Sequence, residues 1–229
     1  MLRTRPAPAP PATAELIVTT VSGLVAGVLD CAFLLAGLRS RSLDPVTSLI
    51  SELEAHDQPG SGWFRWASLL SGLAAVIFAA RLRKRLPPGP LGMAGCGALA
   101  VFGLGSMADA LMPMACAPSV DRVCRHLETS GGLSWMHAGH TWSSVIGILG
   151  VLASMGLLGW HLRRSPGWRR ASRIGLVGCV VLSAWSAIVS VMTLQYAPGL
   201  GLAQRIQVLG IAVWVIVLAL EQARQPVAP

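Results

Sequence analysis

Hydrophobic positions in this chain gather in long continuous runs rather than alternating with polar ones. Runs at about 16–38, 64–80, 91–112, 137–160, 174–196 and 202–220 each approach the length that crosses hydrocarbon. Lipid cannot satisfy exposed backbone groups, so such runs must be helices or closed strands, and continuous hydrophobicity selects helices. The pattern therefore predicts an all-α integral membrane bundle of six transmembrane helices. The first run is longer than the roughly 7 to 15 residues of a signal-peptide core and has no convincing small-residue cleavage site, so a retained span is expected.

The polar segments divide the chain further. Residues 1–14, MLRTRPAPAPPATA, read as a disordered Pro/Ala-rich tail, residues 15–222 as the membrane domain and residues 223–229 as a second short tail. The loop RSRSLDPVTSLISELEAHDQPGSGW places Val46, Leu49, Ile50 and Leu53 at three- and four-residue spacing behind Asp44 and Pro45. That spacing predicts an amphipathic outer-loop helix, capped by Asp44 and lying on the membrane surface.

Composition agrees with the pattern. The chain has 229 residues, 53% of them hydrophobic and 12% charged, and its mean hydropathy of +0.61 is too high for an ordinary soluble domain. The net charge of +8 would suit nucleic acid if it covered a soluble face. Instead the basic residues flank the apolar runs, so the expected partner is the lipid bilayer and no nucleic acid.

The clusters Arg3 and Arg5, Arg81 to Arg85, Arg163 to Arg173, and Arg224 fall on one side if the spans alternate. Short cytoplasmic loops retain Lys and Arg, which predicts a multi-pass protein with both termini cytoplasmic. Trp63, Trp66, Trp135 and Tyr196 then mark the outer interface, and Trp160 and Trp168 the inner one. Glycines at 92, 95, 97, 103, 105, 147, 150, 156 and 159 make the third and fourth spans neighbours through close backbone approach.

The candidate chemistry lies between Gly103 and Ile146. Cys116 and Cys124 share an outer loop, where an oxidising environment favours a disulfide. His137 and His140 are three apart behind Ser134, a potential N-cap, and so share one helical face. Asp109 lies one turn before Pro113 and needs a partner, for which His137, His140 and Arg125 are nearest in topology. Asp30, His56 and Asp57 could line the same outer vestibule. Glycine packing, solvated loop carboxylates and interfacial histidines bonded to water account for these features equally without any reaction.

The segments SLISEL, GWFRWASLLSGL, MPMACAPSVDRVC and GGLSWMHAGH, in this order around the spans, resemble the bacterial and archaeal domain of unknown function 998 family. The resemblance implies a polytopic helical protein of the bacterial cytoplasmic (inner) membrane, distinctive on its outer side and without an established activity. His137, Cys116 and Cys124 fit the family pattern, whereas Ala115 stands where the family often carries an acidic residue.

The function expected on these grounds is a non-catalytic membrane or interaction protein with a polar outer vestibule, whose partner is a lipid-like ligand or another membrane protein. An alternative is a metal-dependent hydrolase of a lipid-like amphiphile, by analogy with membrane ceramidases. There zinc would be held by His137, His140 and a third ligand from Asp109 or His126, with Asp109 or Glu52 serving as catalytic carboxylate. A small transporter component is the third reading, although the inner halves of the spans carry no charge. No P-loop, dinucleotide fingerprint, serine elbow or H-E-x-x-H helix occurs.

Overall fold

The computed structural model describes residues 12–39 and 42–225. Its helices, in order, are α1 (Ala12–Asp30), α2 (Ala36–Arg39), α3 (Ser61–Leu82), α4 (Pro90–Leu111), α5 (Arg122–Ser130), α6 (Trp135–Leu162), α7 (Arg169–Gln195) and α8 (Leu200–Ala223), and the described residues contain no strand. The segments Ser61–Leu82, Pro90–Leu111, Trp135–Leu162, Pro166–Gln195 and Leu200–Ala223 are long and apolar enough to cross a membrane. The protein is thus a multi-pass, all-helical membrane protein. Most of the expected tail at 1–14, and the last residues of the one at 223–229, lie outside the described residues.

The six long helices close a ring in chain order: α1 packs on α3, α3 on α4, α4 on α6, α6 on α7, α7 on α8, and α8 back on α1. Small residues set the spacing. A Cβ added at Gly72 of α3 would stand 2.4 Å from the Gly103 carbonyl of α4, and one at Gly105 would stand 2.9 Å from the Gly147 Cα of α6. At such distances the helices touch backbone to backbone, which supplies much of helix association in lipid. The expectation that the glycine-rich third and fourth runs are neighbours is met by α4 and α6.

The two ends of the ring differ. At the basic end, where the turns at 83–89 and 163–168 lie, the axis is filled by Phe78, Leu82, Leu99, Met155, Leu158, Trp214 and Leu218, all buried. There Glu221 of α8 caps α7 by accepting from the Arg170 and Ala171 amides at 2.8 and 2.7 Å. The Arg81 guanidinium reaches Glu15 of α1 at 3.2 Å, so both ends of the described chain meet at this end. At the opposite, capped end, the loops at 42–60 and 112–134 fold over the helix mouths around a small core of Phe33, Leu43, Leu53, Phe64 and Ala117.

Two local expectations are corrected. The first apolar run does not continue as one helix to residue 38: α1 stops at Asp30, and a 3₁₀ turn at Ala32–Leu35 leads into the short α2. The amphipathic outer-loop helix also does not form. The helical pattern needed the Ile50 amide to bond the Val46 carbonyl, but α8 takes both groups: Leu202 N–H donates to Val46 O at 3.1 Å, and Ile50 N–H donates to Gln204 Oε1 at 2.6 Å.

Arg205 also claims the Ser48 carbonyl, at 2.7 Å. What remains of the predicted helix is a turn begun by Asp44 and a four-residue 3₁₀ turn, Ser51–Glu54. Its apolar residues do not face lipid: Leu53 is buried, together with Glu52 and Glu54. The α-helix of the outer loops is instead α5, whose first amides are capped by Asp121 Oδ1 at 2.8 and 3.2 Å.

Candidate functional site: two polar chambers at the capped end

The 3₁₀ turn Ser51–Glu54 supplies carboxylates to two separate cavities: Glu52 lines one and Glu54 the other. The outer cavity, of about 290 Å³, lies between the two long loops and the turn joining α7 to α8. The Cys116–Cys124 disulfide ties its floor to α5, as expected from the sequence.

Glu128 organises this chamber. One carboxylate oxygen lies 3.1 Å from His137 Nε2, and the other accepts from the Tyr196 hydroxyl at 2.6 Å. His137 Nδ1 accepts the Ala115 amide at 3.3 Å, which leaves the proton of the neutral ring on Nε2, directed at Glu128. The Arg125 guanidinium carbon lies 4.8 Å from the Tyr196 ring centroid, and Arg125 donates to the Pro118 and Ser119 carbonyls at 3.0 and 3.2 Å. Glu52 accepts from the Ser119 amide at 2.8 Å and its hydroxyl at 2.5 Å.

Tyr196 ends α7 at φ 47°, and it is the one non-glycine residue with positive φ among the described residues. That left-handed backbone is costly for a side chain and is held here where its hydroxyl meets Glu128.

The charges follow these contacts. Burial pushes the Glu52 carboxyl up, and the Ser119 bonds only partly offset it. Burial would also raise Glu128, but the bonds from His137 and Tyr196 outweigh it and hold the carboxyl below its ordinary value. Tyr196 is pushed up by burial and by its bond to that carboxylate.

The inner cavity, of about 140 Å³, lies on the ring axis and is lined by α1, α3, α4, α6, α8 and the 3₁₀ turn, with no contribution from α7. It reaches Ile148 and Ile211, roughly halfway along α6 and α8. Asp109 accepts from Ser143 and, at 2.8 Å, from Ser144. His140 Nδ1 lies 3.1 Å from the Met112 carbonyl and 3.2 Å from that of Asp109. Carbonyls only accept, so Nδ1 carries a proton, and in the neutral ring Nε2 is a lone pair.

That Nε2 is buried without a hydrogen-bond partner, and so is Glu54 Oε2. The other Glu54 oxygen accepts from Ser68 at 2.5 Å. Burial pushes the Glu54 carboxyl up to about 7.

The residues singled out from the sequence divide as follows. Glu52 and His137 belong to the outer network, while Asp109, His140 and Asp30 belong to the inner cavity. His126 is exposed on α5. His56 and Asp57 are exposed and clip the first outer loop to the second, through bonds of 3.0 Å to the Met114 carbonyl and 3.3 Å from the Ala117 amide. Of His137, His140, Asp109 and His126 only His140 and Asp109 approach each other, with Nδ1 3.9 Å from Asp109 Oδ1, and no group of three His, Cys, Asp or Glu side chains among the described residues is placed to hold a metal.

Sequence reasoning missed Glu128, Ser143, Ser144, Gln204 and Gln207. The last two carried a readable signal: glutamines three apart in the run LAQRIQV share one helical face.

No curated protein and no solved structure matches the chain. The family model described as Protein of unknown function (DUF998) matches residues 17–221, from the first turns of α1 to nearly the end of α8 and across both chambers. On that match, which covers most of its length, the chain belongs to the DUF998 family.

Proposed function

We propose that this protein is a six-span protein of the bacterial cytoplasmic membrane, with both termini inside, acting as a non-catalytic binding protein through the polar vestibule at its capped end. The observation that carries this reading is the contrast along the ring axis. Two polar cavities occupy the capped end, whereas packed apolar side chains fill the basic end. A vestibule open to one side and stopped by a dry core suits binding better than passage across the bilayer.

α1 supplies the sixth span, packed along α3 and α8 with apolar Val18, Val21, Val25 and Val28 exposed on its outer face. The basic turns at 83–89 and 163–168 orient that end toward the cytoplasm. The hydrolase alternative asks His137, His140 and Asp109 to share one metal, and their ring nitrogens serve separate partners instead.

Cysteine accessibility tests the orientation. A membrane-impermeant maleimide is expected to label Ser130→Cys in intact cells and Lys84→Cys only after lysis, since both positions are exposed. The opposite pattern overturns the proposed sidedness. Turnover of ester- or amide-linked lipids by the purified protein overturns the non-catalytic reading.

A further inference from the structure

The inner cavity holds an imbalance that packing leaves uncorrected. Its ionisable lining among the described residues consists of Asp30, Glu54, Asp109 and His140, with no lysine or arginine among them. Asp109 is supplied with donors by Ser143 and Ser144, and His140 Nδ1 lies 3.9 Å from it. Two acceptors are not: Glu54 Oε2 and His140 Nε2, on residues only 5% and 4% exposed. Buried acceptors without donors are costly, and the cost falls when a ligand brings the donors.

We infer that this cavity binds a small protonated primary amine, whose ammonium donates to Glu54 Oε2 and His140 Nε2. An ammonium carries three N–H donors and a positive charge, which answers both the missing donors and the excess of carboxylates. Phe102, Ile148, Val208 and Ile211 line the same cavity and give a short alkyl chain an apolar wall. Sodium and potassium are poorer candidates, because hard cations take oxygen ligands and an imidazole lone pair offers them little. A transition metal needs three ligands drawn to one point, and the described residues offer no such group.

The charged groups facing Glu54 are Asp30 of α1, Arg65 of α3, Asp109 of α4 and His140 of α6, while α8 offers the neutral Gln204 and Gln207. Glu54 therefore takes up a proton near neutrality when the cavity holds no cation, and a bound ammonium displaces it. The inference rests on the reading of the capped end as a binding vestibule. Maleimide labelling tests that reading without any amine, so the two fail separately.

The test measures the melting temperature of the full-length protein in mild detergent with ethylammonium chloride, at about pH 8 and constant ionic strength. Ethylammonium is expected to raise the melting temperature, and tetramethylammonium or sodium, which bring no N–H donor, are not. The rise should vanish in Glu54→Gln and, independently, in His140→Leu. It should persist in Glu15→Gln, which removes a carboxylate at the opposite end. Below about pH 7 the affinity should fall about tenfold per unit as Glu54 binds a proton.

No rise in the unaltered protein, or an equal rise with tetramethylammonium or sodium, overturns the inference. Nanodiscs identify the source of the amine. If phosphatidylethanolamine abolishes the added-amine shift seen in phosphatidylcholine, the ligand is a lipid headgroup; if the shift survives, it is a free amine.

Discussion

His137 and His140 stand three residues apart on one face of α6, both buried, yet they belong to chemically opposite sites. Around His137 every polar group has a partner: one ring nitrogen accepts from Ala115, the other faces Glu128, and Glu128 also takes the Tyr196 proton. Around His140 one nitrogen is fixed on carbonyls and the other is bare, across the cavity lining from a half-satisfied Glu54. Equal burial thus gives a locked network in one case and an open binding site in the other. The satisfaction of donors and acceptors, rather than depth, separates structure from function here.

The sharpest way to break this comparison is pH. Glu54 is raised to about 7 in the folded protein, so the stability it contributes is fully present below the ordinary carboxylate value and is lost as pH rises toward 7. Glu128 is lowered, so its contribution is present above the ordinary value and is lost in acid. Between about pH 4.5 and 7, stability should therefore fall by on the order of 3 kcal/mol through Glu54, and Glu54→Gln should remove that fall in a detergent melting series. An unchanged slope in the variant would show that Glu54 is not the group responsible.

Next in size is the disulfide. Replacing Cys116 and Cys124 together by serine should cost about 2.5 kcal/mol in urea unfolding, from the loop closed by an eight-residue separation. Because that crosslink lies in the outer chamber, the ethylammonium response of the inner one should survive.

Glu128→Ala should cost about 2 kcal/mol, because it leaves His137 Nε2–H and the Tyr196 hydroxyl without their acceptor. Glu128→Gln, which keeps an acceptor oxygen, should recover part of that loss. The smallest effect falls on the other histidine. His140→Leu should cost about 1 kcal/mol, since only the Nδ1 bonds are lost and Nε2 has none to lose. Equal costs for Glu128→Ala and His140→Leu would erase the distinction between the two sites.

Much of the architecture was legible in the sequence, because hydrophobic runs of membrane length admit few backbone solutions. The expected run at 91–112 and the helix at 90–111 nearly coincide, as do the run at 202–220 and the core of α8. The Cys116–Cys124 pairing and the Ser134 cap of α6, which accepts the His137 amide at 3.4 Å, were legible for local reasons.

The outer loop was not, since its fate depended on α8. Periodicity at 46–53 satisfied a helix, but Leu202, Gln204 and Arg205 had already claimed the backbone groups it required. For the same reason the separation of the two histidines could not be read from their spacing. Their partners, Glu128 and Tyr196 for one and the Asp109 and Met112 carbonyls for the other, come from elements that only the fold brings near.

The ring in chain order also constrains assembly. Each helix can dock on its predecessor as it enters the bilayer, so most contacts are local in sequence and form early. One seam is different: α1 must wait for α8. There a Cβ at Gly23 would stand 2.6 Å from Ala219 Cβ, and one at Gly27 would stand 2.6 Å from Ile216. Asp30, Gln204 and Gln207 line the inner cavity from the two sides of this seam. The amine site is therefore completed by the last event of biogenesis, and a chain truncated before α8 would have five of its six long helices and no closed inner chamber.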